Sequence, residues 1–171
     1  MAKASRAAQA LARSLREVLR RASDEGRIDN SIDDVLKWVQ TARQGVDEVI
    51  EIPRGSRNFV RSREAPHFRR DDGAWFDFAI TLRNGQIVAW SFELRFPDDW
   101  PDGPGWIRFD LNHPGHANDD RGLRCHIHLG SDDDGMSIPY EQRTPAEVLH
   151  LLIHDLRKTG RERGSPVITP A

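Results

Sequence analysis

The chain has 171 residues, 30% charged and 37% apolar, with a net charge of −2 and one cysteine. That length fits one domain with an appendage, able to bury about 70% of the surface its unfolded chain exposes. No apolar run approaches the roughly 20 residues needed to span a bilayer, and no secretory core stands at the N-terminus. Lone Cys125 excludes an internal disulfide, so the expectation is a cytoplasmic protein without membrane contact.

Charge is unevenly spread. Residues 1–70 hold 15 Arg and Lys against 10 Asp and Glu, whereas residues 71–171 hold 10 against 17. This asymmetry suits a nucleic-acid or acidic partner at the N-terminal end, and equally suits solvated helix faces.

In chain order, the spacing of Leu11, Leu15, Val18, Leu19 and Ala22 predicts a helix over 5–25, stopped at Gly26. A second helix is expected from Ser31, where a capping hydroxyl precedes Asp33 and Asp34, through Val35, Leu36, Val39 and Val49 to Pro53. The two form an N-terminal helical hairpin over residues 1–52. Residues 53–70 hold six arginines, Arg54, Arg57, Arg61, Arg63, Arg69 and Arg70, with Phe59 and Phe68 interspersed. One reading is a phosphate-gripping strap for nucleic acid; the other is a solvated linker with an edge strand.

Asn84-Gly85 then marks a two-residue type I′ hairpin between strands at 75–83 and 86–96. Counting outward from that turn sets Leu82 opposite Ile87, Ile80 opposite Ala89, and Asp77 opposite Phe92. A Pro- and Asp-rich loop follows, in which Trp100 acts as an anchor. Two more strands occupy 106–130, separated by a polar loop. Ser131 to Gly135 encloses three aspartates, a solvated loop without EF-hand spacing. Thr144-Pro145-Ala146-Glu147 is a capping box with proline at the first helical position. It opens a helix with Val148, Leu149, Leu152, Ile153 and Leu156 as its buried side. Gly160 closes that helix, and residues 161–171 read as a flexible tail. The fold class expected is α+β: the helical hairpin, an antiparallel sheet of four to five strands, and a C-terminal helix packed on it, with residues 53–160 forming the main domain.

Side-chain alternation sorts the last two strands into faces. Ile107, Phe109 and Leu111 share one face with Leu123, Cys125 and Ile127. Arg108, Asp110 and Asn112 share the other with Arg124, His126 and His128. The apolar side makes Cys125 a buried thiol. On the polar side, one neutral and one protonated histidine set at opposite ends of a scissile bond could cleave RNA without a metal. Arg108 and Arg124 form a phosphate clamp in this reading, and Asp110 orients an imidazole. The rivals are a metal site built on the His-x-His pair with Asp110, His113 or His116, and an ordinary solvated sheet face. Cys125 points away from the histidines, and His150 and His154 flank the terminal helix. P-loop, dinucleotide-binding and GxSxG patterns are absent from the sequence.

The central hairpin, Arg108-Phe109-Asp110 followed by Pro114, the histidine-containing loop, His126-x-His128 and the capped terminal helix together resemble the TumE-like toxins of bacterial toxin–antitoxin systems. The resemblance spans residues 74–157, with Asp110 and Asn112 separated by Leu111 where the family has Asp-Asn. It implies a toxin acting on RNA or translation and neutralised by a helix-turn-helix antitoxin, for which residues 1–52 offer a surface. Arg108, Asp110, His126 and His128 inherit the implied site. The leading expectation is therefore a metal-independent endoribonuclease that needs no cofactor. The alternative is a non-catalytic nucleic-acid- or protein-binding subunit of a bacterial defence complex.

Overall fold

The computed structural model describes residues 5–29, 32, 37–40, 47–51, 67–97, 105–116, 122–130 and 137–156. Helix α1 runs Arg6–Asp24, with Ser5 as its N-cap accepting from the Ala8 amide. Its buried side is Ala8, Ala12, Leu15, Leu19 and Ala22, so the stripe is centred on alanines, with Leu11 and Val18 at its margin. Both the Ser5 amide and its hydroxyl donate to the Glu48 carboxylate, which fastens the helix start to the sheet.

Of the second expected helix, Ile32 is helical, but the later described residues are not. Lys37–Gln40 and Asp47–Glu51 are strands β1 and β2, paired to each other antiparallel. Trp38, Val39, Val49 and Ile50 are aromatic or β-branched types that favour a pleated sheet, and their spacing satisfied a helical template by coincidence. What decides between the two is a strand edge: β2 pairs with residues 79–83 of the next hairpin, and Ile50 is fully enclosed there.

The other strands are β3 (Phe68–Arg69), β4 (Trp75–Arg83), β5 (Gln86–Arg95), β6 (Trp106–Leu111), β7 (Cys125–Leu129) and β8 (Ile138–Pro139). They form an eight-stranded antiparallel sheet ordered β1-β2-β4-β5-β6-β7-β8, and β3 pairs with the start of β4. The protein is thus α+β with an N-terminal helix, an open antiparallel sheet and a C-terminal helix, the sheet wider than the sequence suggested. The Asn84-Gly85 turn has φ of 54° and 76°, the left-handed pair that a type I′ turn requires.

Beyond that turn the pairing departs from simple counting. Leu82 faces Ile87, but a bulge at Val88 then sets Thr81 opposite Ala89, Ile80 opposite Trp90 and Phe78 opposite Phe92. Asp77 consequently faces Glu93 and not Phe92. The shift gathers the aromatics on one face: Phe78 stacks on Phe92 at 5.1 Å, and Phe92 meets Trp90 edge-on at 5.6 Å.

Helix α2 (Pro145–His150) has the expected capping box, with Thr144 and Glu147 bonded reciprocally, and continues into one π-helical turn, Leu151–Asp155. Val148, Leu149, Leu152, Ile153 and Leu156 are all buried, as their spacing predicts. α2 packs against α1 and β5, so both helices cover the aromatic face. No described helix is long and apolar enough to cross a membrane.

Within the expected strap, Arg70 has a structural role. It is 2% exposed, ion-pairs with Asp72, and donates from Nη1 to the Leu152 carbonyl at 2.6 Å inside the π-helical turn. A guanidinium so enclosed is not available to nucleic acid. Arg69 is exposed. Arg54, Arg57, Arg61 and Arg63 lie outside the described residues, as do Trp100, the aspartate loop, Gly160 and the tail.

Candidate functional site

The face of the sheet opposite the helices is polar yet largely buried. Register sets its side chains in two rows. Asp77, Glu93, Arg108 and His128 align across β4, β5, β6 and β7. One step along, Ser91, Asp110 and His126 align in the same way. Both rows follow from alternation, because the intervening residues Phe78, Phe92, Phe109 and Ile127 are committed to the core side.

Asp110, His126 and His128 come together, each offering a ligand atom within 4.8 Å of the others. The two Nε2 atoms are 2.9 Å apart, and His128 Nε2 lies 3.5 Å from Asp110 Oδ2. Both histidines are 2% exposed and Asp110 is 9% exposed. Arg108 donates from Nε to Asp110 Oδ2 at 2.7 Å, and its side chain keeps 22% of its surface in solvent. It is the cluster's outward member.

Sequence parity had set the two imidazoles at opposite ends of a scissile bond. The rings instead converge, 4.7 Å between centroids, and no phosphate fits between nitrogens 2.9 Å apart. Cα spacing along a strand fixes the face but not the rotamers, and the rotamers aim both rings at the same point. The two arginines of the expected phosphate clamp, Arg108 and Arg124, are not directly opposite each other. Arg108 faces His128, whereas Arg124 lies beyond the Asp110–His126 pair, its Nε 3.4 Å from the Asn112 carbonyl. The two guanidiniums bracket that pair from opposite ends.

His113 and His116 are exposed and lie outside the cluster, His116 Nδ1 sitting 3.3 Å from Asn112 Nδ2. His150 and His154 stack at 4.4 Å on the helical side, with His154 Nδ1 3.9 Å from Glu25. Cys125 keeps to the apolar face. Burial pushes its thiol up to about 11; the Asp110 carboxylate adds to this and Arg124 opposes it.

Sequence reasoning missed the neighbours that complete this face. Glu93 and Asp77 are buried on it, and Glu93 ion-pairs with Arg95 at 2.7 Å. Trp106 is held between two guanidiniums, Arg95 at 6.0 Å and Arg108 at 5.4 Å, and Arg95 also lies 5.5 Å from Trp75. The signal was present: Ser91-x-Glu93-x-Arg95 has the same polar alternation as Arg108-x-Asp110. The pairing of β5 with β6 is what lines the two patterns up, and the loop between these strands sets no count from which to read it.

The class this defines is an α+β protein with helices on one sheet face and a buried His/Asp/Arg cluster on the other. No protein-family model, curated protein or solved structure matches the chain.

Proposed function

We propose that this protein is an RNA-directed, toxin-like phosphodiesterase whose centre is the Asp110–His126–His128 cluster with Arg108 and Arg124 around it. The observation that carries the reading is the imidazole contact of 2.9 Å with a carboxylate and a guanidinium beside it. Two ring nitrogens that close share one hydrogen, so one ring donates while the other accepts. The pair therefore sets a proton donor and a proton acceptor side by side, to meet a substrate from one edge and not from either side of it. Guanidiniums at both ends of the Asp110–His126 pair suit a bridging phosphodiester and its developing charge. The resemblance of residues 74–157 to TumE-like toxins supports the same substrate class.

A second reading, a non-catalytic nucleic-acid- or protein-binding subunit, rests on the outer side of α1. There Arg13, Arg16, Arg20 and Arg21, with Glu17 and Asp24 among them, line a cavity of about 820 Å³. One assay separates the two. Purified protein is incubated with labelled RNA, with and without chelator, beside a His126→Ala/His128→Ala variant. Cleavage by the native chain and none by the variant supports the enzyme. RNA retained intact by both moves the function to the outer side of α1. Equal cleavage by both overturns the site assignment.

A further inference from the structure

We infer that Asp110, His126 and His128 form the protein side of a mononuclear site for a divalent first-row transition ion. The inference concerns the cluster described above and stands whether or not RNA is the substrate; it takes the place of the imidazole acid–base pair, because both Nε2 atoms become ligands.

Two features of the cluster suit a cation better than a hydrogen bond alone. The first is convergence. Three side chains from two adjacent strands bring one donor atom each within 4.8 Å of one another, and all three residues are buried. A single imidazole–imidazole hydrogen bond needs no carboxylate aimed at it, yet Asp110 Oδ2 lies 3.5 Å from the same nitrogen of His128 that meets His126. The second is angle. Metal–nitrogen bonds of about 2.0–2.1 Å would span a 2.9 Å gap at about 90°. That is the angle between neighbouring ligands in an octahedron, and it is narrower than the tetrahedral angle of a closed zinc site.

Two histidines and one carboxylate on a single face leave three coordination positions for water or substrate. Arg108 supplies the outer support such a site needs. Its Nε holds Asp110 Oδ2, and an ionised carboxylate has lone pairs left for a metal while it accepts that bond. Imidazole donors select iron, cobalt, nickel, copper or zinc over magnesium and calcium, which take oxygen ligands.

The test uses the full-length chain without a histidine tag, stripped by chelator and dialysed. Cobalt(II), zinc(II) and magnesium are titrated by calorimetry, and cobalt binding is followed by its visible absorption. The expected result is one cobalt or zinc per chain, no magnesium binding, and a raised melting temperature with the metal. His126→Asn and His128→Asn each weaken binding at least 100-fold, whereas His150→Ala/His154→Ala leaves it unchanged. Circular dichroism of each variant separates lost binding from lost folding. Absence of cobalt and zinc binding by the native chain overturns the inference, and so does binding that follows His150 and His154. Metal binding without RNA cleavage removes the RNA reading alone; chelator-resistant cleavage without metal binding removes the metal centre alone.

Discussion

Asp77 and Phe78 are consecutive in one strand and both are buried, yet they belong to opposite halves of the molecule. Phe78 enters an aromatic layer under two helices; Asp77 enters a row of acids, arginines and histidines. The apolar face gains free energy simply by leaving water. The polar face loses free energy on burial unless each group finds a partner, so its stability resides in specific pairs. A face held by pairs can exchange those pairs for a ligand. That is why chemistry is sought on the side with the histidines.

The comparison can be broken most directly from the apolar side. Phe92→Ala removes the ring that stacks on Phe78 at 5.1 Å, and is expected to cost about 3–5 kcal/mol in denaturant titration. A loss below 1 kcal/mol would place the core elsewhere. Arg70 tests the rule by exception, since it is a buried cation on the helical side. Arg70→Ala strands Asp72 and the Leu152 carbonyl, with an expected loss of about 3 kcal/mol by the same measurement.

On the polar face, Asp110→Ala is expected to cost the metal-free protein about 1–3 kcal/mol, less than Phe92→Ala. Arg108 loses its carboxylate but keeps contact with water through its 22% exposed side chain. A thermal melt in chelator measures this, and a larger drop than Phe92→Ala would reverse the comparison.

The smallest effect concerns Cys125. Its thiol is held protonated up to about 11, above its unfolded value, so its contribution is intact at neutral pH and is lost as pH rises through the folded value. The native protein should resist thiol-labelling reagents at pH 8 and react fully once unfolded. Rapid native labelling would put the cysteine on the wrong side of the sheet.

Much of the site was legible because period-2 alternation is a property of the chain itself. Arg108, Asp110, His126 and His128 share one face, and Cys125 the other, as parity alone required. The Asn84-Gly85 turn, the Thr144 capping box and α1 were equally local. The strands at Lys37–Gln40 and Asp47–Glu51 were not, because residues with β-branched side chains at ambiguous spacing take whichever state a neighbour stabilises, and the neighbour was the edge of β4. Arg70 was misassigned for the same reason: composition marks it as a surface cation, and only the π-helical turn, distant in sequence, encloses it.

The sequence by itself determined the alternation of faces, the turn chemistry and the starts of α1 and α2, since each depends on residues within one strand or one helical turn. Tertiary structure decided the bulge at Val88, the recruitment of β1 and β2, the burial of Arg70 and the meeting of two imidazoles with Asp110. These depend on contacts between segments far apart in the chain, whose relative energies no local pattern records.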